Sequence, residues 1–277
     1  MTAADRISYL LDRYPVDTSV QRWHRAKLGG GQRSIVTPND ALKRWLRLMN
    51  AALIRQFNDW PSFMHGGIKK RGYVTHARQH VARPCVITID IKSCFDSITE
   101  REVADAMQRH LGLDDDVCAR LANVLCFRGA VAQGFPTSNY ICNLYLLDPL
   151  SSMHSRLSVR HIRLSNYVDD IAVSGAIVAP GELVNEIALN LSRAKLSMNK
   201  AKVSVMPSSK RQVVCGLVVN KRLSLTSTLK LKLLGDVAHG RMSPASVAGW
   251  IANLKSIDPV FGTKLHQLAM RKGLLKS

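Results

Sequence analysis

No stretch of this sequence is apolar for anything near the roughly 18 consecutive residues that a membrane-spanning helix needs. The start, Met1-Thr2-Ala3-Ala4-Asp5-Arg6-Ile7, lacks the basic start and apolar stretch of a secretory signal. Both absences lead us to expect a soluble protein that works in the cytoplasm, away from a membrane. The six cysteines, at 85, 94, 118, 126, 142 and 215, show no Cys-x-x-Cys spacing and several sit in apolar runs, which argues for reduced, buried thiols. Gly29-Gly30-Gly31 lacks the Gly-Lys-Ser/Thr ending of a phosphate-binding loop and reads as a flexible connector. Acidic residues are few: 20 Asp and Glu stand against 39 Lys and Arg, a formal charge of +19 with pI near 10.1. A polyanion is the partner such a surplus implies, nucleic acid first; the alternative is a solvated basic surface without a ligand.

Among so few carboxylates, one adjacent pair lies between two β-type runs. Tyr167-Val168-Asp169-Asp170 lies between His161-Ile162-Arg163-Leu164-Ser165-Asn166 and Ile171-Ala172-Val173-Ser174-Gly175, and β-type residues on both sides predict a hairpin with the acids at its tip. Like charges this close raise each other's proton affinity unless a cation lies between them. Val86-Ile87-Thr88-Ile89-Asp90, an apolar β-branched run ending in a third carboxylate, supplies the partner that folding would have to bring near. Asp169-Asp170 alone would be an ordinary acidic turn. The order of the surrounding blocks argues otherwise: Ile91-Lys92-Ser93-Cys94-Phe95 follows Asp90, and Gln133-Gly134-Phe135-Pro136-Thr137-Ser138-Asn139 lies between the two acidic sites.

Along the chain, residues 1 to about 28 alternate apolar and charged positions at helical spacing. Arg33 to Pro38 reads as a short strand closed by proline, and Asn39-Asp40 caps a helix through Leu42, Trp45, Leu46, Met49, Leu53 and Phe57. His65-Gly66-Gly67-Ile68-Lys69-Lys70-Arg71-Gly72-Tyr73 is a basic loop whose glycines would let the backbone approach a ligand. Arg33, Lys69, Lys70 and Arg71 are thus candidate contacts to template or nucleotide phosphates. His76 and His80 stand four apart without an acidic or cysteine partner, which favours a structural role over a metal site. A strand over 84–90, helices near 99–110 and 114–127, a helix from Asn139 to about His154 and an amphipathic helix over 182–196 follow, then a strand at 203–205. Asp114-Asp115-Asp116 falls at a helix start, where the dipole attracts carboxylates.

These blocks resemble the palm of reverse transcriptases: a first Asp with an aromatic five residues on, a Gln-Gly-x-Pro block, Tyr-x-Asp-Asp, and Leu196-Ser197-Met198-Asn199-Lys200-Ala201-Lys202 as a Leu-x-x-Asn-x-x-Lys block. Gln212-Val213-Val214-Cys215-Gly216-Leu217-Val218-Val219-Asn220 is similar to the Val-Thr-Gly-Leu-x-Val-Asn stretch of retron-type enzymes, and the region around Gly249-Trp250-Ile251-Ala252-Asn253-Leu254 to their thumb. The likeness runs from about 33 to 265. It departs at Val168, where retron enzymes commonly have alanine, and at Cys215, where threonine is usual, so a group II intron relative or another defence-associated enzyme stays open.

The resemblance implies an α+β chain with the right-hand polymerase fold: an N-terminal region and fingers over 1–83, an antiparallel-sheet palm over 84–222 and a short helical thumb over 223–277. It implies an RNA-directed DNA polymerase that uses two Mg²⁺ ions, with Mn²⁺ as the substitute. Asp90, Asp169, Asp170 and the Ile91 carbonyl would hold the metals. Phe95, Gln133, Gly134 and Lys202 would meet the incoming deoxynucleoside triphosphate, Phe95 crowding a 2′-hydroxyl, and Tyr167 would pack under the primer end. A structured noncoding RNA as template, its cDNA product, an effector or toxin protein and an anti-phage role follow from the retron-type likeness. The competing reading is a polymerase-like RNA-binding protein with weak catalysis.

Overall fold

The computed structural model describes residues 1–26 and 32–275. The triple glycine at 29–31 lies outside the described residues. Helix α1 (Ala3–Leu11) opens on a capping box in which Thr2 and Asp5 satisfy each other's backbone N–H. Helical spacing does not continue to residue 28 as expected: Pro15 follows the helix, and β1 (Val20–Ala26) pairs antiparallel with β2 (Gln32–Pro38). Pairing with a strand further along the chain overrides the local pattern there. Asn39 Oδ1 accepts from Leu42 N at 2.8 Å and starts α2 (Asp40–Gln56), as its sequence predicts.

After α3 (Tyr73–Arg78) comes β3 (Cys85–Asp90), then α4 (Cys94–Ser97), α5 (Glu100–Leu111) and α6 (Asp115–Leu125). The strand pair β4 (Cys126–Phe127) and β5 (Ala130–Val131) precedes α7 (Ser138–Val159), a long helix buried around most of its circumference. The hairpin β6 (Arg163–Tyr167) and β7 (Asp170–Gly175) follows, then α8 (Pro180–Arg193), a 3₁₀ turn at Lys200–Lys202 and β8 (Ser204–Pro207). Short strands β9 (Val213–Val214), β10 (Leu217–Val218) and β11 (Ser224–Leu225) lead into α9 (Ser227–Ala238), α10 (Pro244–Ile257) and α11 (Pro259–Arg271).

The central sheet is antiparallel, in the order β6-β7-β3-β8. Strands β3 and β7 are largely apolar on both faces, and alternation divides their side chains between two cores. Cys85, Ile87, Ile89, Ile171 and Val173 join α2, α5, α6, α7 and α8 in the larger one. Val86, Ala172 and Met206 point the other way, into a second core with Ala77 and the apolar sides of α9, α10 and α11. That second core already includes Val214, Leu217 and Val219, ahead of residue 223.

Buried between α3 and this second face is a chain of histidines and serines. His76 Nδ1 lies 2.7 Å from Ser165 Oγ, His80 Nε2 lies 2.8 Å from the same oxygen, and His80 Nδ1 lies 2.7 Å from Ser174 Oγ. His65 Nδ1 meets Thr75 Oγ1 at 2.8 Å, its ring 5.8 Å from that of His76. This is the structural role the sequence favoured for His76 and His80. Burial, with nearby positive charge, pushes His65 down to about 4 and His80 down to about 3, and holds His76 well below the ordinary histidine range.

Histidines whose folded values are depressed stabilise the fold fully above their unfolded pKa of about 6.5, and that contribution is lost as pH falls toward the folded values. The thermal midpoint should therefore be flat above pH 7 and decline from about pH 6.5 to 4. His80→Gln should lower the midpoint at pH 7 and make the acid decline shallower; a decline as steep as the wild type's would detach it from this cluster.

Candidate active site

The pairing of β3 with β7 sets Asp90 opposite Asp170, and the next rung is Ile91 N donating to the Asp169 carbonyl at 3.0 Å. Backbone hydrogen bonds alone thus bring the three carboxylates to one end of the sheet. The β6–β7 connection is a two-residue turn, Val168-Asp169, closed by the Tyr167–Asp170 pair. Val168 takes a φ of 56°, unfavourable for a β-branched residue, and is held there by its surroundings. Its carbonyl accepts from Asn166 Nδ2 at 3.2 Å. A Cβ on Gly66 would stand 2.4 Å from Val168 Cγ2 and 2.5 Å from Val168 N. Gly66 lets the 63–66 segment lie against the turn, with Asn166 N to Phe63 O and His65 N to Asn166 O both at 2.9 Å. The close approach expected of this glycine is made to the hairpin rather than to a ligand.

Burial raises the Asp170 carboxyl to about 6, and the charges of Asp169 and Asp90 add to it. Cys215 Sγ donates to Asp170 Oδ2 at 3.7 Å from the tight turn between β9 and β10, where Cys215 and Gly216 both have positive φ. Lys202 Nζ lies 2.8 Å from Asp90 Oδ1, and Asn199 holds Asp90 through its main-chain N–H (2.8 Å to the carbonyl) and its amide (3.5 Å to Oδ2). Among the described residues no three His, Cys, Asp or Glu side chains are already gathered as a metal cluster. The donor set nonetheless suits a divalent cation: hard oxygen ligands, crowded negative charge, and a lysine on one of them.

Beside the carboxylates is a cleft of about 300 Å³ lined by Phe95, Gln133, Gly134, Asn139, Tyr167 and Asp169, among others. Four residues chosen from sequence, Phe95, Gln133, Gly134 and Tyr167, thus share one cavity with Asp169. Gly134 has a φ of 130°, and a Cβ there would stand 2.4 Å from the Val36 carbonyl; Val36 N donates to Gln133 O at 2.9 Å. The glycine therefore seats the β1–β2 ribbon against the cleft as well as lining it.

The basic loop divides. Lys69 and Lys70 are exposed, whereas the Arg71 guanidinium donates to the carbonyls of Pro61 (2.5 Å), Met64 (2.9 Å) and Trp60 (3.1 Å). Arg71 is a strut of its own loop, with three of its five N–H donors turned to main-chain carbonyls. Arg33 lies in β2, and its side chain is outside what the structure describes. Sequence reasoning did not single out Gly66, Asn166, Cys215 or Asn199 as shaping the site. Only Asn199, inside the Leu-x-x-Asn-x-x-Lys block, carried a usable signal.

An antiparallel sheet with acids at one end, a ribbon over the adjoining cleft and a helical bundle on the opposite face is the right-hand polymerase fold. Solved structures agree. Apo telomerase from Candida tropicalis matches 97% of this chain and 60% of that one with a TM-score of 0.55 at 11% identity. Telomerase from Candida albicans in complex with a fragment of telomeric RNA matches 92% of this chain and 60% of its own with a TM-score of 0.52 at 12% identity. Residues 26–235, well over half of the chain, match the family model described as reverse transcriptase (RNA-dependent DNA polymerase), and the chain belongs to that family. Its curated relatives include the retron Se72 reverse transcriptase of Salmonella heidelberg, 26% identical over 68% of this chain and 51% of the relative. The retron Mx65 reverse transcriptase of Myxococcus xanthus is 27% identical over 89% of this chain and 63% of the relative. The chain thus spans between half and two thirds of the length of these relatives.

Gly66→Ala should force the hairpin and the 63–66 segment apart, at about 1–3 kcal/mol, the usual range for overpacking. Chemical denaturation measures the loss. A variant as stable as wild type would show that the turn does not depend on this contact.

Proposed function

We propose that the chain is an RNA-directed DNA polymerase that extends a primer on an RNA template with deoxynucleoside triphosphates. The observation that carries this reading is the β3–β7 register, which faces Asp90 with Asp170 and sets Asp169 beside a nucleotide-sized cleft. Asp90, Asp169, Asp170 and the Ile91 carbonyl would hold two divalent ions, Mg²⁺ by preference and Mn²⁺ as substitute. When bound, such ions lower the pKa of an attacking hydroxyl and neutralise charge on the departing pyrophosphate.

The chain's own residues prepare the site. Lys202 and Asn199 hold the Asp90 side chain in position, and Cys215 orients Asp170 through its thiol hydrogen bond. Phe95, half-buried at the cleft, would lie against the sugar of the incoming nucleotide, with Gln133 and Gly134 lining the pocket around it and Tyr167 under the primer end. Lys202 would turn from Asp90 toward the triphosphate. Lys69 and Lys70 would contact template phosphates. Since a lone RNA-binding surface gains nothing from crowding three carboxylates, the enzyme reading is favoured over weak catalysis with binding alone.

The retron relatives support a narrower reading: a structured noncoding RNA as template, its cDNA as product, and an anti-phage role with an effector protein as partner. A group II intron-like relative is the alternative. No helix among the described residues is long and apolar enough to cross a membrane, which suits a cytoplasmic polymerase.

Asp169→Asn should abolish primer extension on RNA while RNA affinity is kept or tightened, because one negative charge leaves a site that faces phosphates. Both are measured on one preparation. Extension at the wild-type rate would remove Asp169 from the metal site. Phe95→Ala should raise ribonucleotide incorporation relative to deoxynucleotide incorporation with a modest loss of rate, and an unchanged ratio in competition assays would return Phe95 to the core.

A further inference from the structure

The β1–β2 ribbon has two unlike faces. Cross-strand partners share a face, so Arg22, Val36 and Val20 lie on one and Gln21, Trp23, Arg25, Ile35 and Thr37 on the other. The first face is occupied: Val36 is buried, Val20 packs against the larger core, and Arg22 Nε donates to Ser34 Oγ at 2.8 Å. On the second, Trp23 keeps 46% of its surface exposed, although the ring is fixed. Its Nε1 donates to Thr37 Oγ1 at 2.9 Å. The only polar atom of the indole is thus satisfied within the ribbon, and what the ring offers outward is a flat aromatic surface.

The position of that surface matters. Ile35, the direct cross-strand neighbour of Trp23, has its Cγ2 3.2 Å from where a Gly134 Cβ would stand, and Gly134 lines the cleft beside Asp169. Trp23 therefore stands one side chain behind the cleft wall. Apart from Ile35, its surroundings on that face, Gln21, Arg25 and Thr37, are polar or positive. An apolar protein partner would need a wider apolar patch than one ring, whereas a nucleobase needs a single aromatic face with positive charge near its phosphates.

We infer that Trp23 is a stacking platform for an unpaired base of the single strand entering the cleft. That the strand is the template rests on the polymerase reading; the stacking itself does not.

The test compares affinities for primer–template duplexes whose RNA overhang is intact or carries one abasic residue at the first or second unpaired position, with Mg²⁺ and no deoxynucleotides. Wild type should bind the intact overhang on the order of ten-fold more tightly than one of the two abasic ones. Trp23→Ala should lose the difference, Trp23→Phe should keep most of it, and Trp23→Leu, apolar but without a π face, should behave as the alanine variant. A wild type indifferent to both abasic positions overturns the inference, as does a Trp23→Ala protein folded by circular dichroism that retains the full difference. If Trp23→Ala does not fold, equal differences in the leucine and phenylalanine variants overturn it. Primer extension by wild type is run alongside: stacking without extension refutes the polymerase reading alone, and extension without stacking refutes the platform alone.

Discussion

Everything at the site depends on the rungs that join β3 to β7. Three carboxylates of one sign would separate if only their side chains were consulted, and burial, with the charges of Asp169 and Asp90 added to it, raises the Asp170 carboxyl to about 6. What keeps them together is main-chain hydrogen bonding, which is indifferent to side-chain charge, backed by apolar packing on both faces of the strands. A slip of one residue would exchange the faces of β3, turning Ile87 and Ile89 toward the thumb and moving Asp90 away from Asp170. The two cores therefore fix the register, and the register fixes the chemistry.

The compensating groups come from elsewhere in the chain. Lys202 and Asn199 approach Asp90 from the segment after α8, and Cys215 approaches Asp170 from the β9–β10 turn. Gly66 comes from the loop ahead of α3 and supports the strained Val168. Three further segments thus meet β3 and the hairpin at the site, each contributing contacts that a local reading of the others would not reveal.

That explains what was legible in the sequence. The acids, the aromatic after Asp90 and the Gln-Gly turn stood out because their types and order are unusual, and β3 and β7 because their β-branched residues fit a doubly covered sheet. The carbonyl contacts of Arg71 were not legible because a basic loop residue looks the same whether its guanidinium faces phosphate or carbonyls of its own chain. The glycines of that loop were expected to let the backbone approach a ligand, and nothing local could say that what Gly66 approaches is Val168. Residues 20–26 were drawn into a helical pattern because strand β1 exists by virtue of β2, and pairing with a later strand leaves no trace in the periodicity of one partner.

The sharing of the second core between sheet and thumb bears on how such proteins can be taken apart and recombined. Val86, Ala172 and Met206 are covered by the same side chains that hold α9, α10 and α11 together, with Ala77 of α3 completing the lid. The thumb is accordingly half of the sheet's roof, and its inner surface is a mould of this particular sheet. A chimera that exchanged the helices after residue 222 for those of a distant cousin would bring a roof cut for different rafters. Diversity in this part of the molecule is easiest to accumulate on the outer surfaces of α9–α11, where sequence can drift while the joint beneath stays as it is.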